Sequence, residues 1–156
     1  SNLKTLLGSI PPYWKPILTM FHVRMGDPDD PKDADLIRNA SPLYKASAIK
    51  RPLLIGQGAN DPRVNKAESE QIVDAIQKSG GSVTYVVYSD EGHGFARPEN
   101  SIDFNARAET FLSGCLGGRA EAVSGDRYPG STATVRVLQQ VKKVATPATP
   151  PPASQH

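Results

Sequence analysis

The sequence has one cysteine, no long hydrophobic run and little net charge. Cys115 alone excludes an internal disulfide and supplies no thiolate cluster for a metal. No apolar stretch approaches the roughly 20 residues that a membrane-spanning helix needs, and the first residues do not form a signal-peptide pattern. A net charge of +2 is too small to argue for nucleic acid. We therefore expect neither a membrane nor a nucleic acid as a partner, and the compartment stays open.

What is present suits a globular domain. The 156 residues, 38% hydrophobic and 22% charged, are enough to bury a sizeable core. Apolar residues at helical spacing predict helices within 3–8, 13–25 and 32–39. The acidic turn at 27–31 places carboxylates where a helix dipole stabilises them. Its spacing lacks the central glycine and the terminal glutamate of a calcium loop, so we interpret it as a helix cap and predict no metal site.

The middle of the chain alternates strands and helices. The continuous apolar run from Pro52 to Gly58 is typical of a strand buried on both faces, as in a parallel sheet. Asn65, with Glu68 three residues on, predicts the start of a helix that Gly80 and Gly81 end. A second strand follows over 83–88. This order predicts an α/β fold built on a βαβ unit.

A last helix follows the second strand. It is expected to start at Asn100 or Ser101 and to end at Gly117. The whole unit is therefore two parallel strands with flanking helices.

Each predicted strand ends in a glycine-rich turn that presents one ionisable residue. Asp61 follows the first strand and His93 follows the second. Catalytic groups of parallel sheets lie at the carboxyl ends of the strands, and adjacent strands are only about 5 Å apart. The carboxylate and the imidazole are therefore expected to meet. Alone, either residue is more typical of a turn, a cap or an exposed position, and only the combination favours catalysis.

The order of the two residues favours a serine hydrolase. Aspartate followed by histidine is the order in α/β-hydrolases, whose nucleophile comes earlier in the chain. In that chemistry His93 takes the proton of a serine hydroxyl and returns it to the leaving group. Asp61 accepts the other ring N–H and stabilises the imidazolium.

Residues 1 to about 121 resemble the end of the catalytic domain of prolyl oligopeptidase family serine peptidases, near the acylaminoacyl-peptidase and dipeptidyl-peptidase branch. The motifs that carry this resemblance are Arg24–Pro28, Ser41–Leu43, Pro52–Val64, Tyr88–Phe95, and Phe111–Leu112 followed by Leu116–Arg119. The resemblance implies the carboxy-terminal portion of an α/β-hydrolase sheet, with Asp61 and His93 as two of three triad residues. It also implies that Val64 and some of Leu3, Leu6 and Leu7 wall the substrate pocket.

The sequence departs from this family in one respect. The family's serine lies in a G-x-S-x-G elbow, and no such pattern occurs here. The nearest approach, Gly80–Thr84, lacks the closing glycine and precedes a strand rather than a helix. We therefore expect the triad without its serine, and a chain that is inactive alone.

The periodic pattern ends near Arg119. We predict a partial α/β-hydrolase catalytic domain over 1–118 and a low-complexity, disordered tail over 119–156, in which only Thr134–Val144 has a brief strand-like alternation. The leading functional hypothesis is a serine-type peptidase that acts through an acyl-enzyme on peptide substrates and needs no cofactor. The alternatives are an α/β-hydrolase esterase and a non-catalytic remnant that serves as an interaction module.

Overall fold

The structure, a computed structural model, describes residues 1–121 and 125–138. The helices are α1 (Leu3–Gly8), α2 (Leu18–Met25), α3 (Ala34–Ala40), α4 (Lys66–Lys78) and α5 (Pro98–Leu116). The strands are β1 (Leu53–Gly58), β2 (Val83–Tyr88) and β3 (Ala133–Leu138). Short 3₁₀ helices lie at Pro12–Ile17, Pro31–Asp33 and Pro42–Ala48. Within these ranges no helix is both long and apolar enough to span a bilayer.

The three strands form one sheet in the order β1, β2, β3. Strands β1 and β2 run parallel, with Leu53 opposite Val83 and Gly58 opposite Tyr88, and α4 connects them. The predicted α/β class and the parallel pair are thus confirmed. The register brings the carboxyl ends of both strands to the same edge, where the two glycine-rich turns begin.

Strand β2 forms the centre of the core because both of its faces are covered. Val83 and Tyr85 point to one face and pack in a cluster with Val73 and Ile76 of α4. Val86 and Tyr88 point to the other face, where the partly buried Phe95 and Phe104 pack against them. This two-sided burial explains why the strand reads as a nearly continuous apolar run.

Helix α5 begins at Pro98, two or three residues before the predicted start at Asn100 or Ser101. Pro98 occupies its first turn, where the fixed φ of proline suits the helix and the missing N–H costs no hydrogen bond. Asn100, predicted as a candidate first residue, instead lies inside the helix with its side chain fully buried.

The segment after Glu121 differs from the predicted disordered tail. Residues 125–138 lie on the domain, and β3 pairs antiparallel with β2 from Ala133 opposite Tyr88 to Leu138 opposite Val83. The sheet therefore has three strands rather than the two that we expected. The predicted disorder at 139–156 falls on residues outside the described ranges.

Buried polar side chains of α5 hold this segment in place. The Tyr128 N–H donates to Asp103 Oδ1 at 2.7 Å, and the Thr132 N–H donates to Asn100 Oδ1 at 2.9 Å. The guanidinium of Arg107 donates to the carbonyl of Asp126 at 2.6 Å. Composition predicted disorder because the segment has few apolar residues of its own. Its order depends instead on acceptors that lie more than 20 residues away in the sequence.

We predict that removing the segment destabilises the domain. A chain that stops after Glu121 should lose about 2 kcal/mol or more of its free energy of unfolding, because the buried acceptors on Asp103 and Asn100 lose their donors. It also exposes the edge of β2. A chain that stops after Leu138 is the matched control, because it retains residues 125–138 and their bonds to α5. Thermal unfolding of all three measures the effect, and equal midpoints for the two truncations would contradict the prediction.

Candidate active site

Asp61 is fixed by the turn that follows β1. Its Oδ1 accepts the backbone N–H groups of Arg63 at 2.8 Å and Val64 at 2.9 Å. This is the local side-chain-to-backbone bonding that suits aspartate to turns. Since Oδ1 is committed to the backbone, Oδ2 is the oxygen that faces a partner.

That partner is His93. The distance between His93 Nδ1 and Asp61 Oδ2 is 2.9 Å, within the range of a charge-assisted hydrogen bond. The Asp61 side chain is 7% exposed and the His93 side chain is 44% exposed. Because Nδ1 is engaged by the carboxylate, Nε2 is the ring nitrogen available as a base.

Asp61 stays ionised in this position. Burial by itself would raise the pKa of the Asp61 carboxyl. The N–H donors of Val64 and Arg63 and the hydrogen bond with His93 outweigh that effect, and the pKa of Asp61 is lowered from its usual value. The carboxylate is therefore negative at neutral pH and can stabilise a positive imidazolium.

The two turns touch through their backbones. The Ala59 N–H donates to the carbonyl of Tyr88, and the Asn60 N–H donates to the carbonyl of Glu91, each at 2.9 Å. A Cβ added at Gly58 would lie 2.6 Å from the carbonyl oxygen of Glu91 and closer still to that of Gly92. Glycine at this position is therefore required for the Asp61 turn and the His93 turn to approach each other.

Glu91 closes the turn that carries His93, a role that the sequence did not reveal. Its side chain, in a residue only 2% exposed, accepts the N–H groups of Ala96 at 2.8 Å and Arg97 at 2.9 Å. The Asn100 amide is a third donor, at 2.8 Å. Burial would raise the pKa of Glu91, but these donors outweigh it and lower the pKa. Within the turn, Gly94 has φ of +119°, which favours glycine.

A cavity of about 280 Å³ opens beside the pair. Its lining consists of Gly56, Gln57, Gly58, Asp61, Val64, Gly92, His93, Gly94 and Phe95. The structure therefore brings three of the predicted site residues together: Asp61, His93 and Val64.

The other predicted pocket residues lie elsewhere. Leu3, Leu6 and Leu7 belong to α1 and are absent from the lining of this cavity. Helix α1 is fixed instead by the Asn2 N–H, which donates to Glu68 Oε2 at 3.0 Å. The assignment of the three leucines to a substrate pocket stays a prediction.

A second cavity, of about 370 Å³, lies between the sheet and α5. Apolar side chains such as Leu54, Phe111 and Val135 contribute to its lining. Of the charged residues in its lining, Asp103 and Arg107 pair with each other at 2.7 Å, and Asp126 is the third. The Asp61–His93 pair belongs to the lining of the smaller cavity.

The acidic turn at 27–33 has structural partners. Asp30 accepts the N–H of Lys32 at 2.9 Å, and Asp33 accepts the N–H of Asp27 at 2.8 Å. Asp27 also lies 3.2 Å from His22. Across the part of the chain that the structure describes, no group of three or more histidine, cysteine, aspartate or glutamate residues is arranged to hold a metal ion.

A parallel βαβ unit whose strands lead to an aspartate and then a histidine at the carboxyl edge is typical of α/β-hydrolases. A family model described as "Prolyl oligopeptidase family" matches residues 14–119. The chain belongs to the prolyl oligopeptidase family.

Two curated relatives are peptidases by name. Dipeptidyl aminopeptidase BIII of Pseudoxanthomonas mexicana is 55% identical over 137 residues, which cover 88% of this chain and 20% of that protein. Dipeptidyl peptidase family member 6 of Caenorhabditis elegans is 42% identical over 135 residues, which cover 84% of this chain and 18% of that protein. The chain thus spans about a fifth of the length of these relatives.

The similarity continues beyond the expected limit at Glu121. Residues 1–121 make up less than four fifths of the chain, so a match over 84% or 88% has to include part of the following segment. This agrees with the docking of residues 125–138 on the domain.

Solved structures share the fold. A puromycin-hydrolyzing peptidase of Mycobacterium tuberculosis superimposes with a TM-score of 0.69 at 23% identity, over 79% of this chain and 18% of that one. A puromycin hydrolase gives a TM-score of 0.66 at 20% identity, over 81% of this chain and 19% of that one.

We predict that Gly58→Ala separates the two turns. The added methyl group would clash with backbone oxygens, which cannot move aside as a flexible side chain can. The free energy of unfolding should therefore fall by about 1–3 kcal/mol. Gly114→Ala is the matched control. It lies in α5 with open space around its Cβ position, and alanine there should stabilise by up to about 1 kcal/mol. Urea unfolding measures both variants, and equal stability of the two would contradict the role of Gly58.

We also predict a pH-dependent contribution from Glu91. Because its pKa is lower in the folded chain than in the unfolded chain, ionised Glu91 stabilises the fold above the ordinary carboxyl range. That contribution is lost as the pH falls through the lowered pKa. Glu91→Gln should cost about 2 kcal/mol at neutral pH, and the difference from wild type should shrink as the medium is acidified.

The matched control is Glu109→Gln, at an exposed glutamate of α5. Its stability should stay within about 0.5 kcal/mol of wild type at every pH. Urea unfolding across the acidic range makes the comparison. A cost of Glu91→Gln that is independent of pH would show that its charge does not matter.

Proposed function

We propose that this chain supplies the general base and its orienting acid to a serine peptidase active site. The single observation that carries the proposal is the 2.9 Å hydrogen bond between Asp61 and His93 at the carboxyl ends of two parallel strands. Membership of the prolyl oligopeptidase family and the names of the two curated relatives support the reaction class.

In this proposal each of the two residues has one role. His93 Nε2 removes the proton of a serine hydroxyl as the oxygen attacks the carbonyl carbon of the substrate. The resulting imidazolium is stabilised by Asp61, which remains a carboxylate. The same proton is then delivered to the leaving amine. Water repeats the sequence on the acyl-enzyme and releases the acid product and the free serine.

We infer that the serine comes from residues outside this chain. The sequence contains no G-x-S-x-G elbow, and the relatives are about five times longer. The 156-residue chain alone should therefore be inactive. The residues outside this chain would also supply the hydrogen-bond donors for the oxyanion, which usually account for a large part of the rate enhancement.

The substrate in this proposal is a peptide. Both relatives are named for dipeptidyl-peptidase activity, and we carry that class over to this chain. Val64 forms one wall of the cavity beside the acid and the base. We also assign residues 125–138 to the catalytic domain, beyond the boundary at 118, because they are bonded to α5.

An esterase would use the same acid and base, so the Asp–His pair does not choose between amide and ester hydrolysis. The family and the relatives favour peptide bonds. A non-catalytic remnant is the remaining alternative, and the experiment below separates it from both enzymes.

The test is a chimera in which this chain replaces the aligned part of dipeptidyl aminopeptidase BIII. We expect turnover of a dipeptidyl chromogenic amide. His93→Ala and Asp61→Asn should each lower kcat by about 10⁴-fold or more, because the serine loses its base or the histidine its orientation. His22→Ala is the matched control, since His22 pairs with Asp27 and lies outside the cavity lining.

Two results would contradict the proposal. One is turnover by the His93→Ala chimera at the rate of the His22→Ala control. The other is labelling of the isolated 156-residue chain by a fluorophosphonate probe, which would place a reactive serine within it. Comparison of an amide with the matching ester decides between peptidase and esterase.

A further inference from the structure

Asn100 occupies an unusual position on α5. Asn100 is fully buried, although it lies in the first turn of a helix that begins at Pro98. It is absent from the lining of the cavity beside Asp61 and His93. A buried amide needs partners for two N–H donors and for its oxygen, so its contacts show what it holds together.

Both ends of the Asn100 amide are satisfied. Nδ2 donates to Glu91 Oε1 at 2.8 Å and to Asp90 Oδ1 at 2.9 Å. Oδ1 accepts the backbone N–H of Thr132 at 2.9 Å. The carboxylates only accept and the backbone N–H only donates, so a flipped amide would lose all three bonds. The side chain therefore has one orientation.

The amide nitrogen of Asn100 donates hydrogen bonds to the turn that carries His93. Asp90 and Glu91 are the two residues just before Gly92 and His93. Glu91 also accepts the N–H groups of Ala96 and Arg97, so its carboxylate joins both sides of the turn. Without Asn100, this buried carboxylate would lose one of its three donors, at a cost in stability.

The amide oxygen of Asn100 accepts a hydrogen bond from the segment at 125–138. Besides the N–H bond to Asn100, the Thr132 hydroxyl donates to Asp90 Oδ1. The hydrogen bond from Thr132, with those from Asn100 and Arg97, lowers the pKa of Asp90 to about 2. Asp90 is therefore a charged anchor for both Thr132 and Asn100.

We propose that Asn100 is a positioning residue for His93, which links the segment at 125–138 to the His93 turn through Asp90 and Glu91. The inference rests on the proposed function for its catalytic meaning, but not for its geometry. It gives residues 125–138 a role at the site, although none of them contacts Asp61 or His93 in the bonds described. It predicts that loosening this link disturbs the Asp61–His93 hydrogen bond.

The test reads the histidine directly. In the 156-residue chain labelled with ¹⁵N, the shifts of the two ring nitrogens report the tautomer at about pH 8, where an ordinary histidine is neutral. Wild type should show His93 held with its proton on Nδ1. In Asn100→Leu, which keeps the branched shape of the side chain and removes all three bonds, we expect the averaged shifts of a histidine that samples both tautomers.

Val73→Ala is the control for a merely structural effect. It creates a cavity in the cluster between α4 and β2, on the opposite face of the sheet from α5. It should lower the melting temperature and leave the His93 tautomer unchanged. If Val73→Ala shifts the tautomer as strongly as Asn100→Leu does at matched destabilisation, the positioning role is wrong.

A milder pair covers the case in which Asn100→Leu does not fold. Thr132→Val removes the hydroxyl that bonds Asp90 and leaves the backbone N–H in place. Thr134→Val makes the same change at an exposed position two residues further along. We expect Thr132→Val to weaken the Nδ1–H signature of His93 and Thr134→Val to preserve it. Identical His93 spectra for this pair would overturn the proposal.

The outcomes separate this inference from the proposed function. An unchanged tautomer in folded Asn100→Leu refutes the link and leaves the role of His93 in catalysis intact. If the chimera keeps its turnover rate after His93→Ala, the catalytic role of His93 is refuted. The tautomer measurement would still test the link between Asn100 and the His93 turn. In an active chimera, Asn100→Leu should lower kcat by about tenfold or more with little change in KM, since Asn100 is fully buried and absent from the cavity lining.

Discussion

The site depends on the close approach of two turns at Gly58. A carboxylate and an imidazole form a useful pair only at hydrogen-bond distance, and their side chains are too short to bridge turns that stand apart. The parallel register of β1 and β2 brings both turns to one edge. The absence of a side chain at Gly58 then lets the backbones of residues 58–60 lie against those of Glu91 and Gly92. The Asp61–His93 bond follows from that contact.

Around this contact the domain buries charge rather than avoiding it. Glu91 and Asp103 are almost completely buried, and each accepts at least three hydrogen bonds. A buried carboxylate is tolerated only when it is fully paired, and losing one donor costs more than a typical surface bond contributes. Such networks specify one arrangement. The turn after β2 and the segment before β3 are thereby fixed relative to α5.

Hydrophobic pattern and turn chemistry were enough to predict the βαβ unit and the Asp61–His93 pair. Both depend on local sequence: apolar runs, glycine turns and their spacing. Asn65 was predicted as a helix cap, and its side chain does accept the N–H of Ala67 at 3.0 Å. Glu68, expected to complete that cap, bonds the N–H of Asn2 instead. Glu68 therefore bonds a residue distant in the sequence rather than the start of its own helix.

The same reason explains why residues 125–138 were missed. Their few apolar side chains predict disorder. Nothing in their own sequence reveals that the side chains of Asp103 and Asn100 accept hydrogen bonds from their backbone N–H groups. Buried polar acceptors on a helix resemble ordinary exposed residues in a sequence pattern. Only the three-dimensional arrangement shows that α5 turns these residues inward, and that Ile102, Leu112 and Leu116 are exposed apolar residues of the same helix.

The asymmetry within the pair bears on how a complete site would form. Asp61 is nearly buried and bonded on both oxygens, whereas almost half of the His93 side chain is exposed. The carboxylate of Asp61 is thus already oriented and largely desolvated, and its bond to Nδ1 leaves Nε2 of His93 for another partner. In the proposed enzyme, a serine beside Nε2 would meet a base whose tautomer is fixed, and folding of this chain would already have arranged the acid and the base. Under the proposed function, only the placement of the hydroxyl and of the oxyanion donors would remain for residues outside this chain.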